Sequence, residues 1–151
     1  QFRIKAPIFV ARQLVKHQVG LAWNEVSRRY VDDKPEFYIP FLWRERAENK
    51  KQGSAESEVE YDITDFVKSA KSLYSDMLES NIAPEMARMV LPQNMMTEWY
   101  WSGSLYAFTR VCNLRNKDDS QEETRMITQP MAKHLKDHFP ISAKYLLDEE
   151  I

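Results

Sequence analysis

The sequence predicts an α+β fold in which several helices pack on a small, mostly antiparallel sheet. Three observations carry it. The stretch Phe2 to Ile4 and an aromatic run through Trp99, Tyr100 and Trp101 read as strands. Between and after them lie several stretches with apolar residues at helical spacing. Finally, 151 residues at 43% hydrophobic suffice for one domain with a real core, and no internal repeat divides the chain.

Each element can be justified in order. The chain opens on Gln1 directly before the first strand, so a single domain over 1–151 is expected to lack an N-terminal part. Pro7 is a good first helical residue, and Ile8, Val10 or Ala11, Leu14 and Val15 follow at helical spacing. Residues 16–30 read as an anion-binding loop in which Gly20 supplies an unusual backbone angle and Trp23 packs underneath. Residues 31–56 read as an irregular excursion pinned by Phe37, Tyr38, Phe41 and Trp43.

Residues 58–80 carry Phe66, Val67, Ala70, Leu73, Tyr74, Met77 and Leu78 on one helical face, with Thr64 as cap and Asn81 near the end. A shorter helix starts at Ala83-Pro84-Glu85 and stops before Pro92. Residues 94–102 form the best strand, and 104–114 an amphipathic helix that places Arg115 at its end. Ser120-Gln121-Glu122-Glu123 has the form of a capping box for a helix marked by Ile127, Met131, Leu135 and Phe139, which Pro130 should kink or divide. Ser142 is read as the cap of a last short helix.

Charge narrows the function. The whole chain is formally −2, yet residues 1–30 hold Arg3, Lys5, Arg12, Lys16, Arg28 and Arg29 against Glu25 alone, a local charge of +5. That concentration suits phosphate, and a solvated basic face is the plain alternative. Cys112 is the only cysteine, which excludes an internal disulfide, and its apolar neighbours make it a buried hydrophobe rather than a nucleophile. His134 and His138 with Asp137 lack a further ligand nearby, so no metal is expected. The Trp99-Tyr100-Trp101 run is read as sheet core before base-stacking platform. No apolar run approaches membrane-spanning length and no signal peptide is visible, which points to the cytoplasm, or a host's cytoplasm if the source is viral.

The motifs together resemble the flavin-dependent thymidylate synthases, the thymidylate synthase complementing proteins. The resemblance covers essentially the whole chain: Phe2-Arg3-Ile4-Lys5, Arg12-Gln13, Lys16-His17-Gln18, Asn24-Glu25-Val26-Ser27, Arg29-Tyr30, Glu36-Phe37-Tyr38, Ala87-Arg88, Leu91-Pro92, Leu114-Arg115, Ser120-Gln121 and Glu123. The family signature of Arg-His-Arg, seven residues and Ser stands here as Lys16-His17-Gln18, eight residues and Ser27.

The resemblance implies an FAD-dependent methyltransferase that converts dUMP to dTMP, with methylenetetrahydrofolate as one-carbon donor and NADPH as reductant. It implies flavin contacts at Lys16, His17, Gln18 and Asn24, with Ser104 and Arg110 as further candidates. It implies dUMP contacts at Gln13, Glu25, Ser27, Arg29, Arg88 and Arg115; Arg28, joined to this set, stands where many members have glycine. Arg115, Ser27 and His17 form the catalytic set, Arg115 to stabilise charge developing on the uracil ring and Ser27 as a positioning hydroxyl. A homotetramer with active sites between subunits is the implied assembly, with neither membrane nor nucleic acid as partner. Lys16 and Gln18 replace two planar forks with a point charge and a neutral amide. Two other readings remain: a truncated or non-catalytic family member that binds nucleotide or serves as an assembly subunit, and a single-stranded nucleic-acid binder using the first thirty residues.

Overall fold

The computed structural model describes residues 1–27, 34–48, 53–149 and 151. Three antiparallel strands make the central sheet: β1 (Phe2–Pro7), β2 (Leu21–Glu25) and β5 (Met96–Gly103), in the order β1-β5-β2. The middle strand is the aromatic one. Its alternation sends Trp99 and Trp101 into the core at 0% exposure and leaves Tyr100 outside at 39%, as a period-two strand requires. The register sets Ile4 opposite Trp99 on one side and Trp23 opposite Trp101 on the other. Trp23 stacks on Trp99 with ring centroids 4.2 Å apart.

The helices are α1 (Ile8–Leu14), α2 (Thr64–Glu79), α3 (Pro84–Ala87), α4 (Leu105–Arg115), α5 (Glu122–His138) and α6 (Pro140–Leu146). A single 3-10 turn, Arg88–Val90, follows α3. Val10 and Leu14 of α1, Val111 and Cys112 of α4, Met131 and Leu135 of α5 and Ala143 of α6 close over the sheet's tryptophans as one apolar cluster. The α+β architecture is therefore the one expected, and Cys112 is fully buried in it.

Two glycines shape the entrance to β2. Gly20 takes φ +75°, the left-handed conformation that favours glycine. At Gly103, register partner of Leu21, a side chain would meet the Gly20 carbonyl oxygen at 2.5 Å. The turn and the strand end pack this closely because Gly103 has none.

Several local expectations are corrected. Residues 21–25 are strand rather than loop, because β5 offers a free edge. The excursion contains a short antiparallel pair, β3 (Trp43–Arg44) with β4 (Glu58–Val59), and Phe41 does not pin it, being 97% exposed. In α2 only Val67, Ala70 and Tyr74 are buried; Phe66 and Leu73 face outward, so the apolar face is wider than the core it meets. Thr64 is not that helix's cap; its backbone N–H instead donates to the Asp62 carboxylate at 2.8 Å. Asn81 ends the helix at φ 61°, a conformation asparagine tolerates.

The Ser120 capping box does not form. Gln121 occupies the cap position without a side-chain hydrogen bond, and Glu123 is engaged by Arg44. Pro130 does not divide α5, which runs through it; the proline is exposed on the outer side. Ser142 lies inside α6, whose cap position is Phe139. No helix among the described residues is long and apolar enough to cross a membrane.

Candidate functional site

The two ends of β2 carry two different polar clusters. At its start, where α1 hands the chain to the glycine turn, Lys16, His17 and Gln18 face Arg110 of α4 and Lys117 across a cavity of about 400 Å³. Asp148 supplies one carboxylate at its rim, tied there by Asn113, whose amide donates to Asp148 at 3.0 Å and accepts from its backbone N–H at 3.2 Å. Three permanent cations against one acid make this a cavity for anions.

Behind the wall stands Arg115. Its Nε donates to His17 Nε2 at 2.9 Å and one Nη donates to the Gln13 carbonyl at 3.3 Å. Burial, then the positive charges of Arg115 and Arg110, holds the His17 imidazole below its ordinary pKa. Gln13 itself is gripped by α5: its amide donates to Gln121 at 2.6 Å and accepts from the Thr124 hydroxyl at 3.2 Å. The structure brings together here Gln13 and Arg115, read from sequence as dUMP contacts, with Lys16, His17, Gln18 and Arg110, read as flavin contacts.

At the other end of β2, Glu25, Ser27 and Arg88 share a cavity of about 590 Å³ with Trp23 and Thr97. Glu25 is held by the Thr97 hydroxyl at 2.6 Å and by the Trp23 indole N–H at 3.4 Å. Arg88 donates from Nε to the Glu85 carbonyl at 3.3 Å. Four residue rises of about 3.4 Å separate Leu21 from Glu25, so the clusters lie about 14 Å apart along the strand. Within one chain they are two sites.

Two expected contacts fall elsewhere. Asn24 is exposed on β2, opposite Tyr100. The Ser104 hydroxyl caps α4, accepting from the Ala107 N–H at 3.1 Å, and lies beside the Gly20 turn. Arg28 and Arg29 lie outside the described residues. Among the described residues no group of three or more His, Cys, Asp or Glu is placed to hold a metal ion; His134 and His138 stack on each other at 3.9 Å.

One cavity escaped the sequence reading. Phe9, Tyr38, Trp43, Arg44, Gln121 and Glu123 line about 490 Å³ beneath the excursion. Its floor is an ion pair: one Arg44 nitrogen reaches both Glu123 oxygens at 2.7 Å, and another reaches Glu122 at 3.1 Å. The available signal was an arginine following an aromatic and a proline, but the capping-box pattern had already claimed Glu123.

An α+β domain with a cationic cleft at one end of a strand and a polar cleft, Arg88 beside Glu25, at the other is suited in class to holding anionic ligands. The family model described as "Thymidylate synthase complementing protein" matches residues 1–141, and the chain belongs to that family. Among relatives, it is 36% identical to the flavin-dependent thymidylate synthase of Thermus thermophilus over 94% of this chain and 54% of that one. It is 39% identical to the Aquifex aeolicus protein of the same description, over 82% and 41%. Its structure resembles a UMP/dUMP methylase, PolB from Streptomyces cacaoi, solved with 5-Br dUMP, at TM-score 0.81 and 25% identity over 94% of this chain and 67% of that one. The same enzyme with 5-Br UMP gives TM-score 0.78. The chain spans about half the length of the Thermus relative.

Proposed function

We propose that this chain is the nucleotide- and flavin-holding part of a flavin-dependent thymidylate synthase that methylates dUMP. The observation that carries it is the sorting of the family's contact residues into two clefts, one at each end of β2, the first of them cationic. Supporting it, relatives at 34–39% identity are described as flavin-dependent thymidylate synthases, and the structural neighbour was solved with a dUMP analogue.

The residues at the start of β2 fit a flavin dinucleotide in part. Lys16, Arg110 and Lys117 would hold its diphosphate, with Gln18 offering an amide; about 400 Å³ accommodates only a portion of such a ligand. Bound FAD, once reduced by NADPH, supplies the hydride of the reaction, and methylenetetrahydrofolate the carbon, which replaces a proton at uracil C5. This chain's own groups bind and orient. Ser27 and Arg88, with Arg28 and Arg29, would hold the dUMP phosphate, and a guanidinium at Arg115 would neutralise negative charge developing on the pyrimidine. Gln13 reaches the same region through its carbonyl's bond to Arg115.

Since the two clefts lie about 14 Å apart along the strand, one nucleotide meets both Arg115 and Ser27 only if a second copy brings its Ser27 cluster to the first copy's Arg115. A homotetramer with sites between subunits satisfies this.

The test is a visible spectrum of the purified chain with FAD, followed by titration of dUMP. A saturable shift of the flavin band supports the proposal. If FAD washes away while dUMP still binds, the second reading holds, a nucleotide-binding subunit weakened in flavin affinity by Lys16 and Gln18.

A further inference from the structure

His17 meets Arg115 in a way that fixes which nitrogen of the imidazole carries the proton. A guanidinium only donates, so His17 Nε2, 2.9 Å from Arg115 Nε, must present a lone pair, and the ring's N–H is at Nδ1. Together with the bond from Arg115 to the Gln13 carbonyl, this uses donors on two nitrogens of the fork and fixes its plane. The remaining donors are free to meet a nucleotide.

We propose that His17 is a positioning residue, its neutral Nδ1–H form clamping the Arg115 guanidinium in one plane and its protonated form releasing it. The consequence for nucleotide binding rests on the reading of Arg115 given under Proposed function; the clamp itself does not.

The electrostatics favour a closed clamp near neutrality. Protonation removes the acceptor and sets two cations at hydrogen-bond distance. Around the ring stand Arg110 and Arg115 of α4, Lys16 beside it, Lys117 just past α4, and Asp148 after α6 as the single carboxylate. From α1, Gln13 contributes only neutral groups. Burial and the two arginines lower the His17 pKa, so the clamp opens only in acid. This assignment also separates His17 from proton transfer at the substrate, because Nε2 is occupied by Arg115.

Histidine-ring ¹⁵N NMR on the full chain, without ligand, tests the clamp directly. The expected spectrum has His17 as the Nδ1–H tautomer and an Arg115 Nε–H resonance protected from exchange. His17→Gln, whose amide oxygen can accept, keeps that protection; His17→Phe loses it while the other resonances stay native. In dUMP titrations, affinity falls more steeply with acid in the wild type than in H17Q, by less than about tenfold at about pH 5.5 because the His17 pKa lies below its ordinary value, the phosphate's own ionisation being common to both. An Nε2–H tautomer, or protection of Arg115 unchanged in H17F, overturns the clamp. Equal pH dependence in wild type and H17Q overturns its role in binding. If the tautomer and the H17F effect are as expected but dUMP binds at no pH, the clamp stands and the nucleotide reading of Arg115 falls.

Discussion

Replacing Arg44 by Met should destabilise the fold far more than replacing Glu123 by Gln, although both remove the same ion pair. The asymmetry follows from what each change leaves behind. In E123Q, Arg44 keeps Glu122 at 3.1 Å and the Ser54 hydroxyl at 2.7 Å, and its side chain is 19% exposed. Its charge remains partly met, and a loss of about 1–2 kcal/mol is expected, below the usual range for a broken buried pair. In R44M, Glu123 is 7% exposed and keeps only neutral donors, the Tyr38 hydroxyl at 3.3 Å and the Gln121 side chain among them. A buried carboxylate without a charged partner should cost about 3–5 kcal/mol.

The pH dependence supplies a second arm. Burial alone would push the Glu123 carboxyl up, but the Arg44 hydrogen bond and charge, with hydrogen bonds from the backbone and Gln121, outweigh this and hold it below the ordinary range. In the wild type this contributes stability present above the unfolded carboxyl pKa of about 4.3 and lost as pH falls through the folded value. In R44M the sign reverses. With Arg44 gone the folded pKa rises above the unfolded one, so stability is greatest below about pH 4.3 and is lost as pH rises through the raised value. Urea unfolding at about pH 7 and about pH 5 should show R44M gaining stability at the lower pH while the wild type does not. Equal losses in R44M and E123Q, or R44M weakening in step with the wild type on acidification, would refute the reasoning.

Other expectations concern the glycine turn, the thiol and the second cleft. Gly103→Ala places a methyl 2.5 Å from the Gly20 carbonyl oxygen and should lower stability by about 2 kcal/mol or more, read by thermal unfolding. Burial pushes the Cys112 thiol up to about 12, so it should resist alkylation at neutral pH in the native chain and react at once in denaturant. Arg88→Ala and Ser27→Ala should each weaken dUMP binding about tenfold with stability nearly unchanged; unaltered affinity in both would remove the second cleft from the site.

Much of this structure is legible in the sequence where one signal acts alone. A helix over 104–114 and a strand over 94–102 are written in local spacing and stand at 105–115 and 96–103, while the Ser104 hydroxyl caps the helix, a role not read from sequence. Reading fails where a long-range partner outbids a local one. Glu123 fits a capping box, yet Arg44, 79 residues away, offers a charged fork. Residues 21–25 sit inside a stretch, 16–30, crowded with polar groups and read as loop, but the unpaired edge of β5 recruits them as strand. Phe66 and Leu73 share a helical face with Val67 and Tyr74, and periodicity cannot say how much of that face a neighbour covers. The candidate site residues were expected as a set because the family resemblance supplied them. Their division between two clefts was not, since it depends on β2 being extended.

That division also explains why α5 matters to chemistry it does not carry. Glu123 anchors the excursion through Arg44, and two residues earlier Gln121 accepts from Gln13, whose carbonyl helps hold Arg115. The helix start is thus a common footing for the excursion and for the guanidinium. If R44M displaces only the excursion, the Arg115 Nε–H should remain protected by His17. If the start of α5 shifts with it, the Gln121–Gln13 bond at 2.6 Å is the first to lengthen, and Arg115 loses its second anchor while keeping its first. Exchange of that one proton, measured in R44M, distinguishes a site built on α1 and α4 alone from one that needs α5 to hold it.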